Sequence, residues 1–353
     1  MTQNLKVFDG HNDVLLRLYN KHKDGVELDF IRGDGEGHID MPRLRKGNSA
    51  GGMYAIYIPN AEDLHNLDEL MQGDTYDVPL SEQIGLGKAT PIATSMAAIM
   101  HRIEKNSNGE FKICRNANEL RTCNANNTIA AVMHMEGAEA IDKDLNALEV
   151  FYAAGLRSLG PVWSRPNIFG HGVPFRFPSS GDTGPGLTDA GKFLVKTCNA
   201  MGIAVDLSHI TEQGFWDVAA ITDQPLIASH SNPLAMCKSA RNLSDKQLEA
   251  IAESGGIVGL NFATCFLNSN GQSSTTTSLE TMLRHLDYLI EKLGVDHVGF
   301  GSDFDGAEVP DVIGDVSGLP TLLNTMRNHG YDEITIHKIA YENWISTLEK
   351  CWR

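Results

Sequence analysis

A chain of 353 residues, 42 % of them hydrophobic, has room for one large barrel or two ordinary domains and ample material for a core. Its formal charge of −16, from 45 acidic against 29 basic residues, argues against a nucleic-acid surface or an anionic membrane as partner. The six cysteines (Cys114, Cys123, Cys198, Cys237, Cys265 and Cys351) lack CxxC spacing and read as free thiols, not as a zinc knuckle, redox motif or disulfide scaffold.

The opening MTQNLKVFDGHND has no basic start, apolar run and small-residue cleavage site, so it does not read as a leader. No stretch reaches the roughly eighteen apolar residues of a membrane span, and the closing ENWISTLEKCWR is no anchor signal. A cytoplasmic protein is expected. Along the chain, short apolar runs alternate with amphipathic stretches, a βα rhythm. The runs are LKVFDG (5–10), GGMYAIYI (51–58), TIAAVMH (128–134), GLRSLGPV (155–162), GIAVDLS (202–208), PLIASH (225–230), GIVGLNF (256–262) and HVGFGSD (297–303). Helical spacing occupies 81–104, 187–202, 211–221, 243–254, 276–294 and 333–350. In the second of these, Thr188 is the predicted N-cap and Gly202 the stop. Eight strands with intervening helices predict one (β/α)8 TIM barrel over 1–353. There is no GxGxxG after the first strand and no P-loop to support an open nucleotide-binding sheet. Two Gly-rich segments, 20–48 and 164–187, read as irregular insertions of the kind that shape an active-site mouth.

The candidate ligands fall just past strand ends, which in a barrel converge on one rim. His11 and Asp13 follow the first strand, Glu136 the third, His209 the fifth, His230 the sixth, and Asp303 and Asp305 the eighth. Residues i and i+2 of an extended segment point to the same side, so His11 and Asp13 reach one metal together. Imidazole and carboxylate suit zinc. Five ligands exceed one open catalytic site but serve two ions, about 3.5–4 Å apart, when one carboxylate bridges. Glu136, whose strand lies between the first and fifth, is the natural bridge. His134 faces the same side by alternation and stays a candidate. Ser208, Ser229 and Ser231 read as local hydrogen-bonding groups, because no GxSxG elbow accompanies them. Asp303, beside two metals, suits proton transfer to a leaving amine. Asp305 suits orienting a loop or a ligand. Gly301 and Gly306 allow tight packing at the rim. Arg241, in KSARNLSD, is suited to a substrate carboxylate, with Arg157 and Arg165 as competing cations.

DGHND, the MEG run, DLSH, SHS, ARN and GSDFDG, in this order over nearly the whole chain, resemble the membrane dipeptidase (renal dipeptidase) family of zinc metallopeptidases, in a soluble bacterial form. Each motif is weak alone; the ordered set is specific. The resemblance implies a barrel of the metal-dependent hydrolase type. It implies His11 and Asp13 on one zinc, His209 and His230 on the other, and Glu136 bridging two zinc ions per subunit. It assigns Asp303 the acid/base role and Arg241 the substrate carboxylate. The implied activity is hydrolysis of dipeptides, including those with a C-terminal D-residue, by a metal-bridging hydroxide, with Glu136 and Asp303 as catalytic groups. Homodimers occur in the family; nothing in the chain marks an interface, a membrane anchor or a nucleic-acid partner. One departure is clear. Where many relatives have a substrate-contacting histidine after the fourth strand, this chain has Trp163, whose indole offers a single donor. His171, eight residues on, is a candidate to fold back and substitute, and Trp163 a candidate wall of a substrate subsite. Two rival functions share the site: an amidohydrolase acting on N-acyl amino acids, cyclic amides or lactams, and a catalytically silent metal- or substrate-binding protein.

Overall fold

A computed structural model describes residues 5–60 and 67–352. All eight apolar runs form barrel strands: β1 (Val7–Asn12), β2 (Ser49–Tyr57), β3 (Ile129–Glu136), β4 (Leu156–Gly160), β5 (Ala204–Val205), β6 (Ile227–Ala228), β7 (Ile257–Asn261) and β8 (Val298–Gly301). Every residue in them is buried, the environment a parallel sheet needs when helices cover it. Strand pairing runs β5-β4-β3-β2-β1-β8-β7-β6, all parallel. A single parallel bridge between Asp206 and Ile227 joins the two ends of this order and completes the ring. The added strand Phe111–Ile113 pairs with the start of β3.

The expected caps hold. Thr188 Oγ1 accepts from the Gly191 N–H at 3.1 Å, and Gly202, at φ 68°, ends the helix Asp189–Met201. The C-terminal helix Asn343–Cys351 packs on β1 and β8. Trp344 lies against Gly10 and Gly299 and donates its indole N–H to the Phe300 carbonyl at 2.9 Å. A Cβ at either glycine would collide with that ring, so both glycines are there for close approach.

The reading of 20–48 as irregular is corrected: two short helices, Val26–Arg32 and Met41–Lys46, lie there. The second starts at Asp40, whose side chain accepts from the Arg43 N–H at 2.8 Å, with Pro42 in the first turn. At seven and six residues neither is long enough to display helical periodicity. The 164–187 segment stays largely irregular. Its strand Arg176–Phe177 pairs antiparallel with Tyr76–Asp77, which ties two insertions together. The six cysteines are free and buried. Among the described residues no helix is long and apolar enough to cross a membrane.

Candidate active site

The C-terminal strand ends bring the five predicted donors into one buried cluster. His11 Nε2 lies 3.2 Å from Asp13 Oδ2 and 3.7 Å from Glu136 Oε2. The other carboxylate oxygen, Glu136 Oε1, faces His209 Nε2 at 3.0 Å and His230 Nε2 at 3.5 Å. Glu136 thus offers one oxygen to each of two donor groups: His11 with Asp13, and His209 with His230.

Two of the imidazoles are held from behind. His209 Nδ1 meets Ser164 Oγ at 2.8 Å, and His230 Nδ1 meets Ser229 Oγ at 2.8 Å. Ser229 donates its hydroxyl proton to Asp206 Oδ2 at 2.6 Å, so its oxygen accepts from His230 Nδ1–H. That fixes the tautomer and leaves the Nε2 lone pair facing Glu136. Asp206 also accepts from the Ser229 N–H and from Ser208 Oγ, each at 2.8 Å. Asp9 braces the His11 backbone instead of its ring: it accepts from the His11 N–H at 3.3 Å and from the Ser302 N–H and Oγ, both at 2.7 Å, while the His11 Nδ1 has no hydrogen-bond partner among the described residues. Burial raises the Asp9 carboxyl to about 6. Asp9 and Asp206 were present in DGHND and DLSH but had no assigned part. A carboxylate two or three residues ahead of a candidate ligand was the available signal. His134 sits deeper: its Nδ1 bonds Ser158 Oγ at 2.9 Å, its Nε2 is 3.5 Å from Asp206, and burial lowers it to about 4.

Electrostatically the cluster calls for cations. Burial pushes the Glu136 carboxyl well above its ordinary range, with Asp13, Asp303 and Asp206 adding to the effect against His11. Burial also drives His209 and His230 far below theirs, so both are neutral donors. Buried carboxylates are costly unless positive charge joins them, and in this cluster, against burial, Glu136 and Asp13 raise His11 to about 10. These oxygen and nitrogen donors are of the type that divalent zinc takes.

Asp303 adjoins the cluster: its ligand atom groups with those of His11 and His230, and its Oδ2 accepts from Asn261 Nδ2 at 2.9 Å. Burial raises its carboxyl. Asn261 was not singled out from sequence. It is itself held by Asn232, whose Oδ1 accepts the Asn261 N–H and whose Nδ2 donates to the Asn261 carbonyl, both at 3.0 Å. Asp305 lies farther out and secures a loop: its Oδ1 accepts from the His38 N–H at 2.6 Å, and Arg17 Nε is 3.3 Å from its Oδ2. A Cβ at Gly306 would overlap both Asp13 Oδ2 and Asp303 Oδ1, and one at Gly301 would overlap the Ser229 carbonyl.

Above the cluster opens a cavity of about 660 Å³. Tyr57, Trp163, Phe175 and Phe266 form an aromatic wall. The Trp163 ring meets Tyr57 at 5.0 Å, Phe175 at 5.6 Å and His209 at 5.7 Å between centroids. His171 is turned elsewhere: its Nδ1 lies 3.2 Å from the Gly186 carbonyl. Arg241 is buried, donates to the Ser208 carbonyl and, at 3.0 Å, to that of His230, and keeps a buried Nε without a partner. The two competing cations are absorbed structurally. Arg165 pairs with Glu139 at 2.8 Å, and Arg157 lies over the Tyr152 ring at 3.8 Å.

A model of the membrane dipeptidase family (Peptidase family M19) matches residues 1–351. Two solved structures align over 99 % of this chain and 99 % of their own, each at 52 % identity. One is the dipeptidase AC, a metallopeptidase of family M19, at a TM-score of 0.96. The other is a metallopeptidase from Rhodobacter sphaeroides liganded with a phosphinate mimic of the dipeptide L-Ala-D-Ala, at a TM-score of 0.97. A Klebsiella pneumoniae protein, described as an uncharacterized protein in the pqqA 5′ region, is 45 % identical over 267 residues, covering 76 % of this chain and 98 % of its own.

Proposed function

The chain belongs to the membrane dipeptidase family, Peptidase family M19, and from that premise we propose how its site works. It is a metal-dependent dipeptidase. The finer reading is a centre of two zinc ions, His11 and Asp13 holding one, His209 and His230 the other, with Glu136 shared. The observation that carries it is the division of the Glu136 carboxylate, Oε2 toward His11 and Oε1 toward His209 and His230. The ions supply Lewis acidity toward the scissile carbonyl and make water at the site more acidic.

The chain's own groups do the rest. Asp303, half-buried and oriented by Asn261, carries a proton to the leaving amine. Arg241, which burial lowers to about 10, is still cationic at neutral pH, and its unpartnered Nε suits a substrate carboxylate. Trp163 and its aromatic neighbours keep water from the reacting bond and favour an apolar side chain. The substrates are dipeptides, and the ligand held by the Rhodobacter protein supports including a C-terminal D-residue.

The test is metal analysis after reconstitution, with kinetics on L,L- and L,D-dipeptides against N-acyl amino acids. About two zinc ions per chain and turnover of dipeptides are expected. Turnover confined to N-acyl compounds would make it an amidohydrolase of another specificity, and near-zero zinc would remove the two-ion centre.

A further inference from the structure

Among the described residues, the acidic, basic and imidazole side chains on the cavity wall that stand outside the donor cluster and Asp303 are Arg17, His38, Asp305 and Glu308. Three of them are engaged with one another. Arg17 pairs with Asp34 at 2.9 Å and with Asp305 at 3.3 Å, while His38 Nδ1 accepts the Asp305 N–H at 2.8 Å. Glu308 is different. Its backbone carbonyl accepts the Thr264 N–H at 3.0 Å, and its Oε1 accepts from Thr264 Oγ1 at 3.2 Å. Thr264 is fully buried, so this two-point anchor sets the carboxylate on the wall. No cation pairs with it among the described residues. The neighbouring wall is aromatic: Phe266 stacks on Phe175 with centroids 6.3 Å apart and planes at 8°.

A positioned carboxylate without a counter-charge, beside aromatic faces, is complementary to a cation and repels a substrate carboxylate. Resting on the dipeptidase reading, we infer that Glu308 is a specificity-determining residue that receives an ammonium group of the substrate. That ammonium is supplied either by the free amino terminus or by a basic side chain. It also gives the substrate a direction, because its carboxylate end must then lie away from Glu308.

The test uses the zinc-reconstituted protein and Glu308→Gln, which keeps an acceptor for Thr264 and removes the charge. The compounds are L-Ala-D-Ala, pairs in which lysine replaces norleucine at either position, and N-acetyl-L-Ala-D-Ala read as a competitive inhibitor. A hydrogen bond to a charged group is worth enough to move binding by about tenfold or more. The expected result is about a tenfold rise in KM for ammonium-bearing substrates, with kcat changed less than twofold and the Ki of the N-acetyl compound unchanged. If every free dipeptide loses equally, the α-ammonium is the group received; a loss confined to the lysine members identifies the side chain. Equal losses for all compounds, the N-acetyl one included, or no loss for any, would overturn the inference and leave the dipeptidase reading standing. Should the wild type hydrolyse no dipeptide, that reading fails instead, and calorimetric dissociation constants for the same compounds still decide whether Glu308 selects ammonium.

Discussion

Asp303 and Asp305 both have left-handed backbone, at φ 60° and 67°, a region that aspartate visits more readily than most side chains but still at a cost. The surroundings enforce it. The Asp303 N–H donates to the His11 carbonyl at 3.1 Å, and the Gly306 and Ala307 N–H groups return to the Asp303 carbonyl, both at 3.0 Å. The loop therefore spends conformational freedom on aiming one carboxyl at the donor cluster. Asp303→Asn keeps the shape and the Asn261 contact but loses the titratable proton. It is expected to lower kcat by about 10²–10⁴-fold, the usual worth of a positioned acid or base, at unchanged metal content. Steady-state kinetics beside metal analysis checks this, and a kcat within a few-fold of wild type would remove Asp303 from proton transfer. The residues behind the ligands were far harder to read. Asp9 works through Ser302, 293 positions away, and nothing local in DGHND announces such a partner.

Elements were legible where their own side chains carry the signal. The eight strands are buried on both sides, so each is a near-continuous apolar run, and all eight were readable. The helix Asp189–Met201 was readable at both ends because a threonine hydroxyl and a left-handed glycine are local chemistry. Helices at 26–32 and 41–46 were not, since two turns hold too few residues to separate a period from chance. The cap also gives a stability prediction. Thr188→Ala leaves the Gly191 N–H without its acceptor and is expected to cost about 1 kcal/mol. The readout is the urea midpoint, which should fall with the m-value unchanged; an unmoved midpoint would mean that water replaces the cap without loss.

At the scale of the whole molecule, pH acts through buried groups outside the donor cluster. His285 donates from Nε2 to the Leu267 carbonyl at 2.9 Å and is 1 % exposed. Burial, the largest influence, lowers it from 6.5 to about 4. The unfolded chain binds this proton near pH 6.5 and the folded chain only near 4, so the unfolded state holds more protons in between. Stability from this site is complete above about 6.5 and declines as pH falls toward 4, by roughly 3 kcal/mol at most. His285→Gln should flatten that part of the profile relative to wild type in denaturant titrations at pH 7, 5.5 and 4.5. Parallel profiles would assign the acid sensitivity to the carboxylates instead.

The ring itself has a weak seam, and it coincides with the donors. Strands β5 and β6 have two residues each and meet through the Asp206–Ile227 bridge and the Leu207 N–H to Ile227 carbonyl bond at 2.8 Å. The β2–β3 ladder, in contrast, pairs seven consecutive positions from Gly51–Ala130 to Tyr57–Glu136. His209 and His230 follow the two strands of the seam, and Glu136 and His11 project from the other side of the ring. On the proposed two-ion reading, ions held by all of them would clamp the seam across the barrel. Chelation leaves buried carboxylates without their cations and removes that clamp together, since ligand binding to the folded state is stability. Hydrogen exchange followed by mass spectrometry should therefore show protection falling in peptides spanning 204–210 and 226–231, with 51–57 and 130–136 little changed, and protection returning when zinc is restored. A uniform loss over all eight strands would indicate that the ions stabilise the fold globally; no loss at 204–210 would mean that the Asp206 hydrogen bonds alone hold the seam.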